Sequence, residues 1–162
     1  MTAATIALLA EAIQPRSGRQ GWHGGPTPVG ALRGVTAEQA CWKPAPKRKS
    51  IWTLTLHVAY WKYAVRRLLE GTQRGTFPRG PSNWPAAPGR PDAAGWAADV
   101  ALVRAEHEHL VRAASTVQPA MLSRRPPSSR RWSYGELLVG IAMHDAYHTG
   151  QIQLLKRLWQ ER

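Results

Sequence analysis

The sequence predicts an all-α protein that folds as a four-helix bundle, in a single domain spanning residues 1–162. Apolar residues recur at helical spacing in four long stretches, and segments rich in Gly and Pro separate these stretches. No stretch shows the strict alternation that is typical of a β-strand. With 162 residues and 43% hydrophobic residues, the chain is long and apolar enough to bury the core of one domain.

The first helix is predicted over residues 2–14, and its apolar face holds Ile6, Leu9, Ala10 and Ile13. Residues 15–49, rich in Gly and Pro, form a long connection between the first and second helices rather than a linker between domains. Within this connection, Thr36 caps a short helix. Trp22 and Trp42 are expected to pack over the bundle as lids on its core.

Each of the three remaining helices begins with a capping side chain. Ser50 and Asp92 cap the second and third helices, and Ser133 with Glu136 forms a capping box that begins the fourth. The predicted bounds are residues 50–70, 92–118 and 133–162. The loops between these helices span residues 71–91 and 119–132.

Two histidines, His144 and His148, lie on the apolar stripe of the fourth helix, where further hydrophobic residues would be expected. Their spacing of four residues stacks the two imidazoles one turn apart on one face, and such a pair can bind one divalent cation. The other members of the stripe are Leu137, Ile141, Ile152 and Leu155.

A third histidine, His57, borders the inward face of the second helix, whose stripe is Ile51, Leu54, Val58, Trp61, Val65 and Leu68. Inward histidines from two helices form a three-nitrogen metal site in a bundle core. The alternative is that the three histidines are separately hydrogen-bonded core residues, and the spacing by itself leaves both interpretations open.

Several side chains lie within one helical turn of these ligands. Gln151 and Tyr147 are placed to orient a ligand or a bound water, although ordinary packing explains Tyr147 equally well. Thr53 and Trp61 are placed to wall a pocket, with core packing the better explanation for Trp61. Asp145 is about 100° away from the ligand face. It is expected to face solvent or to bond a loop.

The remaining histidines are assigned less specific roles. His107 lies on the stripe of the third helix, where it is either a core residue or a fourth metal ligand. A catalytic site with three protein ligands does not need it. His23 and His109 are expected at the surface.

The formal net charge of +12 raises the question of nucleic-acid binding. The basic residues are scattered and no recognition motif accompanies them, so a sequence-specific nucleic-acid partner is not expected. Basic residues do crowd the loops before the second and fourth helices, at 47–49 and 124–131. In an up-and-down bundle these two loops lie together near His57, where we expect them to attract an anionic substrate, the alternative being two solvated loops.

Cysteine content and hydropathy indicate a reduced, cytoplasmic setting. Cys41 is the only cysteine, which excludes an intramolecular disulfide and a Cys-rich metal site. The N-terminal segment lacks a basic region and has a short apolar run, so no signal peptide is expected. No apolar run is long enough to span a bilayer, so no membrane partner is expected.

The segment from His144 to His148 reads HDAYH and invites comparison with the HExxH motif of zinc proteases. Asp145 stands where the general base Glu belongs, and it is one methylene shorter. None of the residues after His148 is a histidine, so the third ligand of the longer protease motifs is missing. A protease is therefore not favoured.

Four segments together resemble the DinB/YfiT-like superfamily: GWHGGPTPVGALRGVTAEQA, KSIWTL, LTLHVAYW and HDAYHTGQIQLLKRL. The resemblance covers nearly the whole chain. It implies a four-helix bundle with an unusual helix order, a long connection between helices one and two, and a homodimer. It also implies a divalent metal site at the matching positions His57, His144 and His148.

Relatives in this superfamily include S-transferases that use bacillithiol or mycothiol, a mycothiol-dependent maleylpyruvate isomerase, and proteins described as metal-dependent hydrolases. The resemblance therefore implies a divalent transition metal, zinc (Zn) or nickel (Ni) being expected, and a small-molecule substrate such as an anionic thiol. Three neutral imidazoles leave the metal its full charge and an open position for a thiol or a water. A thiol S-transferase is preferred; the alternatives are a metal-dependent hydrolase and a non-catalytic metal-binding stress protein. The sequence assigns no catalytic residue.

Overall fold

The structure is a computed structural model that describes residues 3–15, 24–72 and 75–162. Within these ranges the chain forms six α-helices and one 3₁₀ helix, and it has no strand. The α-helices are α1 (Ala3–Ile13), α2 (Pro28–Ala31), α3 (Ala37–Cys41), α4 (Ile51–Leu69), α5 (Ala93–Ser115) and α6 (Tyr134–Gln160); the 3₁₀ helix spans Pro119–Met121. The all-α prediction is confirmed. The course of the connection after α1 is described only from residue 24 onward.

The predicted capping side chains begin their helices. Thr36, Ser50 and Asp92 each accept a hydrogen bond from the backbone N–H three residues ahead. At α6, the Ser133 side chain accepts from the backbone N–H of Glu136, and the Glu136 side chain accepts from the backbone N–H of Ser133. This is the predicted capping box. The predicted starts of α4, α5 and α6 are therefore correct.

The helix ends and the short helices were predicted less well. α5 ends at Ser115 rather than Gln118, because the N–H of Thr116 bonds the carbonyls of Ala113 and Ala114 and tightens the last turn. The short helices α2 and Pro119–Met121 were not predicted. Each has a proline in its first turn and spans four residues or fewer, too few to show a helical period.

Helices α4 and α5 run in the same direction. Trp52 Nε1, near the start of α4, donates to Asp99 Oδ2 near the start of α5 (2.8 Å). Further along both helices, Lys62 Nζ donates to His107 Nδ1 (3.1 Å). Because the two helices are parallel, the loop between them must return along the bundle, and it passes over α4 on the way.

Helix α6 runs antiparallel to α4. His144 meets His57 in the first half of α4, while Ser128, which precedes α6, donates from Oγ to the carbonyl of Leu68 at the end of α4 (3.0 Å). The basic segments 47–49 and 124–131 therefore lie at opposite ends of α4. The expectation that they lie together was wrong, because it assumed a simple up-and-down order in which α4 and α6 would be parallel.

Two apolar clusters fill the bundle, one toward each end. The first includes Ile51, Trp52, Leu56, Val58, Trp96, Val103 and Ile152. The second includes Val65, Leu69, Leu110, Val117, Leu137, Leu138 and Ile141. Between them along α4, α5 and α6 lies a layer of buried polar side chains, which we call the polar layer: His57, Lys62, His107, Asp145 and His148.

Trp42, which precedes α4, packs against the first apolar cluster, as expected of a lid on the core, and its ring lies edge-on against Trp159 of α6 (centroids 5.8 Å apart). Trp22 and His23, predicted as a lid and a surface residue, lie outside the described residues. In the part of the chain that the structure describes, no helix combines the length and apolar character needed to cross a membrane.

Candidate metal centre

The crossing of α4 and α6 brings His57, His144 and His148 together. One ring nitrogen from each lies within 4.8 Å of the others, and the Nε2 atoms of His57 and His144 are 3.1 Å apart. Metal–nitrogen bonds of about 2.0–2.1 Å place two ligand nitrogens about 3.0–3.4 Å apart. The His57–His144 spacing therefore fits two imidazoles that share one cation, and His148 lies within 4.8 Å of both to supply the third.

Hydrogen bonds on the outer ring nitrogens fix which nitrogens face the centre. His57 Nδ1 donates to the backbone carbonyl of Asn83 (2.5 Å), and His148 Nδ1 donates to Gln151 Oε1 (2.7 Å). Because both partners are oxygen acceptors, the protons of these neutral rings lie on Nδ1 and the Nε2 lone pairs are free. The predicted role of Gln151 as an orienting residue agrees with this contact.

The protonation of the centre favours metal binding. Burial lowers the pKa of His57 to about 4, although the hydrogen bond to Asn83 opposes this effect. Burial likewise lowers the pKa of His148. Near neutral pH both rings are therefore in the uncharged form that coordinates a metal.

His144 differs from the other two histidines. Its side chain is 22% exposed, and its Nδ1 has no hydrogen-bond partner among the described residues. The facing oxygen, Asp145 Oδ1, is 3.9 Å away and is equally without a hydrogen-bond partner there. The three-histidine cluster is therefore open to solvent near His144. It also lacks a hydrogen bond there, because the Nδ1 of His144 has no partner among the described residues.

A loop residue that the sequence reasoning missed covers the His57 ring. The Trp84 ring stacks on the His57 ring at a centroid distance of 3.6 Å and an angle of 8°. Trp61 Nε1 donates to Asn83 Oδ1 (2.8 Å), which ties the same loop to α4. Lys49 Nζ lies 4.5 Å from the centre of the Trp84 ring. Trp84 could have been found by the reasoning applied to Trp42, that a large aromatic residue in a loop covers a core.

The prediction for Asp145 was wrong. Its side chain is 6% exposed and forms an ion pair with Lys62 Nζ, and Lys62 is fully buried. Burial alone would raise the pKa of the Asp145 carboxyl. The positive charge of Lys62 and the hydrogen bond that Lys62 donates hold this pKa below the usual value. The reason is that α6 is covered on this flank by other helices, so its buried face is wider than the apolar stripe.

His107 lies in the polar layer beside this ion pair and apart from the three-histidine cluster. Its Nδ1 accepts from Lys62 Nζ (3.1 Å), and its Nε2 donates to Gln14 Oε1 (2.5 Å). Burial and the charge of Lys62 lower the pKa of His107 to about 4, so it is neutral near pH 7. Since both of its ring nitrogens already have partners, His107 has no lone pair free for a metal.

The remaining predicted residues have ordinary roles. Tyr147 is 64% exposed, and its ring lies edge-on against His148. The Thr53 hydroxyl bonds the capping Ser50 hydroxyl (3.1 Å). His109 is 44% exposed, which agrees with the predicted surface position.

An apolar groove of about 620 Å³ adjoins the open side of the centre. It runs between α4 and α6, and His144 and Trp61 form the part of its wall nearest the metal ligands. The rest of the lining includes Val65, Leu68, Trp132, Val139 and Ile141. Its volume is in the range of sites that bind small molecules.

Comparison with known families agrees with this geometry. The model of the DinB superfamily matches residues 29–152, a segment that contains all three clustered histidines. Neither the comparison with curated proteins nor the comparison with solved structures gives a match. The family match spans well over half of the chain, and both the all-helical fold and the three-histidine cluster fit it. The chain therefore belongs to the DinB superfamily.

Proposed function

We propose that this protein is a divalent-metal-dependent enzyme that acts on small molecules, with transfer of a thiol to an electrophilic substrate as the preferred reaction. The observation that carries the proposal is the convergence of three imidazoles beside an open apolar groove. A purely structural metal site would be closed by four protein ligands. Here three are present and the fourth side faces the groove.

The residues around the centre have separate tasks in this proposal. His57, His144 and His148 would hold the metal, and the Asn83 carbonyl and Gln151 keep two of these rings in the required tautomer. When bound, a divalent metal supplies the positive charge that stabilises a thiolate at neutral pH. The stacked Trp84 ring shields one face of His57 from water.

The groove supports an apolar electrophile as the second substrate. Trp61 and Trp132 offer aromatic surface, and Val65 and Ile141 offer aliphatic surface, to a molecule whose reactive carbon lies near His144. In the reaction, the thiol gives its proton to solvent water, its sulfur forms a bond to that carbon, and a leaving group such as halide departs with its electron pair. The groove supplies binding and orientation for this step.

The charge near the centre supports an anionic thiol. Lys49 Nζ lies over the Trp84 ring, which stacks on His57, and its charge acts on the His57 ring. A carboxylate of a thiol cofactor would be attracted to this cation. This replaces the broader expectation about two basic loops, since only the segment before α4 lies near the metal ligands.

The test uses cobalt- or nickel-loaded protein with a low-molecular-weight thiol and a haloarene. We expect a sulfur-to-metal charge-transfer band on addition of the thiol, and conjugation of the thiol to the haloarene. The His57→Ala variant should lose both signals, while His109→Ala, a change at a half-exposed position outside the centre, should keep them.

Two other results would overturn the preferred reaction. If no thiol changes the spectrum, but ester or amide hydrolysis rises through a pKa near 7, the protein is a metal-dependent hydrolase. If the metal-loaded protein shows neither reaction, a non-catalytic metal-binding role replaces both proposals.

A further inference from the structure

The outer ring nitrogens (Nδ1) of the three clustered histidines differ in their hydrogen bonding. Those of His57 and His148 donate to oxygen acceptors at 2.5 Å and 2.7 Å. The Nδ1 of His144 and the Oδ1 of Asp145 face each other at 3.9 Å, and both are buried without a hydrogen-bond partner among the described residues. An unpaired buried donor and an unpaired buried acceptor each cost stability, so such a facing pair needs an explanation.

The other carboxylate oxygen of Asp145 is firmly held. Oδ2 accepts from Lys62 Nζ, which is fully buried and also donates to His107 Nδ1. His107 in turn donates to Gln14 Oε1. A continuous chain of hydrogen bonds therefore runs from Gln14 across the bundle to Asp145 Oδ2, and the other oxygen of that carboxylate, Oδ1, faces His144.

We propose that Asp145, held in place by Lys62, is a positioning residue of the metal centre: its Oδ1 accepts the Nδ1 proton of His144 when a metal is bound. The inference rests on the proposed metal centre and extends it to the buried Lys62–Asp145 ion pair, although Asp145 was expected to face solvent or to bond a loop. It explains why two charged residues occupy the middle of the bundle, between two apolar clusters.

Simple chemistry supports this arrangement. A metal at the centre fixes Nε2 of His144 as the coordinating atom and leaves the proton on Nδ1. A charged hydrogen bond from that N–H to a carboxylate is typically about 2.7–2.9 Å long, so the gap has to close by about 1 Å. A carboxylate in this position increases the basicity of the histidine ligand and holds its ring in the coordinating orientation.

The first arm of the test measures zinc affinity by competition with a chelator. Asp145→Asn removes the charge from the acceptor, and we expect a loss of roughly 10- to 100-fold in affinity. Gln14→Ala is the matched control, because it disturbs the far end of the same hydrogen-bond chain without touching Asp145. We expect its zinc affinity to stay within about twofold of the wild-type value.

A second variant keeps the test valid if Asp145→Asn does not fold. The double substitution Lys62→Met with Asp145→Leu removes both charges, so no unpaired charge is left in the bundle. Thermal melting of the metal-free protein reports whether it folds. A folded double variant should show the same loss of zinc affinity, which the removal of a purely structural ion pair would not cause.

The third arm uses the wild-type protein itself, loaded with cobalt. Proton NMR in water and in D₂O should show three strongly shifted, exchangeable N–H signals, one from each ligand ring. The proton on His144 should exchange slowly with solvent, since it is buried against Asp145, and its signal should be lost or broadened in the double variant.

Each result decides the matter. Weaker zinc binding in the Asp145 variants, together with loss of the His144 signal, supports the role of Asp145. Wild-type zinc affinity in a folded double variant, or a His144 proton that exchanges freely in the wild-type protein, overturns it while leaving the metal centre intact. A wild-type protein that binds no divalent metal overturns both.

Discussion

The polar layer contains two clusters of histidine and charge that differ in how their polar atoms are used. In the candidate metal centre, the Nε2 atoms of His57 and His148 have no hydrogen-bond partner outside the three-histidine cluster among residues 3–15, 24–72 and 75–162. In the neighbouring cluster, His107 uses both ring nitrogens, on Lys62 and Gln14. The comparison shows that the hydrogen-bond partners of a buried histidine, rather than its burial, decide whether it can bind a metal.

Protonation does not separate the two clusters. Burial lowers the pKa of both His57 and His107 to about 4, so both rings are neutral near pH 7. Their exposed fractions are also similar, at 5% and 7%. The difference lies in Lys62, which donates a hydrogen bond to the lone pair on Nδ1 of His107. The same ammonium forms the buried ion pair with Asp145.

The largest effect is expected from breaking that ion pair on one side. The Lys62→Met substitution leaves the Asp145 carboxylate buried without its partner, and we expect it to lower the free energy of unfolding by about 3–5 kcal/mol. Urea denaturation of the metal-free protein measures this. The exposed Lys43→Met is the control, with an expected change within about 0.5 kcal/mol. A loss for Lys62→Met as small as that of the control would show that the pair is not energetically important.

The next effect is a pH dependence of stability that His107 causes. Its pKa is about 4 in the folded protein and 6.5 as an ordinary value, so the unfolded chain binds more protons between these limits. Stability should be complete above pH 6.5 and should fall as the pH drops toward 4, by up to about 3 kcal/mol from this residue. In metal-free protein, His107→Gln should flatten the fall of the urea midpoint over this range. Parallel curves for the variant and the wild type would contradict the assignment.

The smallest of these effects concerns the orientation of one ligand. Gln151→Leu removes the acceptor for His148 Nδ1 and should weaken zinc binding by roughly 10- to 100-fold, about 1.4–2.7 kcal/mol. Gln160→Leu, an exposed change near the end of α6, is the control and should bind zinc like the wild type. Equal zinc affinity in the two variants would mean that Gln151 does not support the metal centre.

Local signals in the sequence were enough to predict most of the fold. Capping residues such as Ser50 and Ser133 act within a few residues of themselves, so their effect can be read from spacing alone. The inward positions of His57, His144 and His148 followed from the helical period for the same reason.

The features that were not predicted from the sequence depend on how distant segments of the chain pack together. The parallel arrangement of α4 and α5 sends the intervening loop back over α4, and this places Asn83 and Trp84 on His57. Likewise, Asp145 is buried because Lys62 reaches it from another helix. A helical wheel of α6 alone assigns Asp145 to the outside, since it contains no information about its partner.

The most direct test of the central claim is the content of divalent metal per chain, measured by elemental analysis of the purified wild-type protein and two variants. We predict about one ion per chain for the wild type and for His107→Gln, since three imidazoles can hold one ion, and a large loss of metal for His148→Ala. An unchanged metal content in His148→Ala, or an equal loss in His107→Gln, would contradict the assignment of His57, His144 and His148 as the metal ligands.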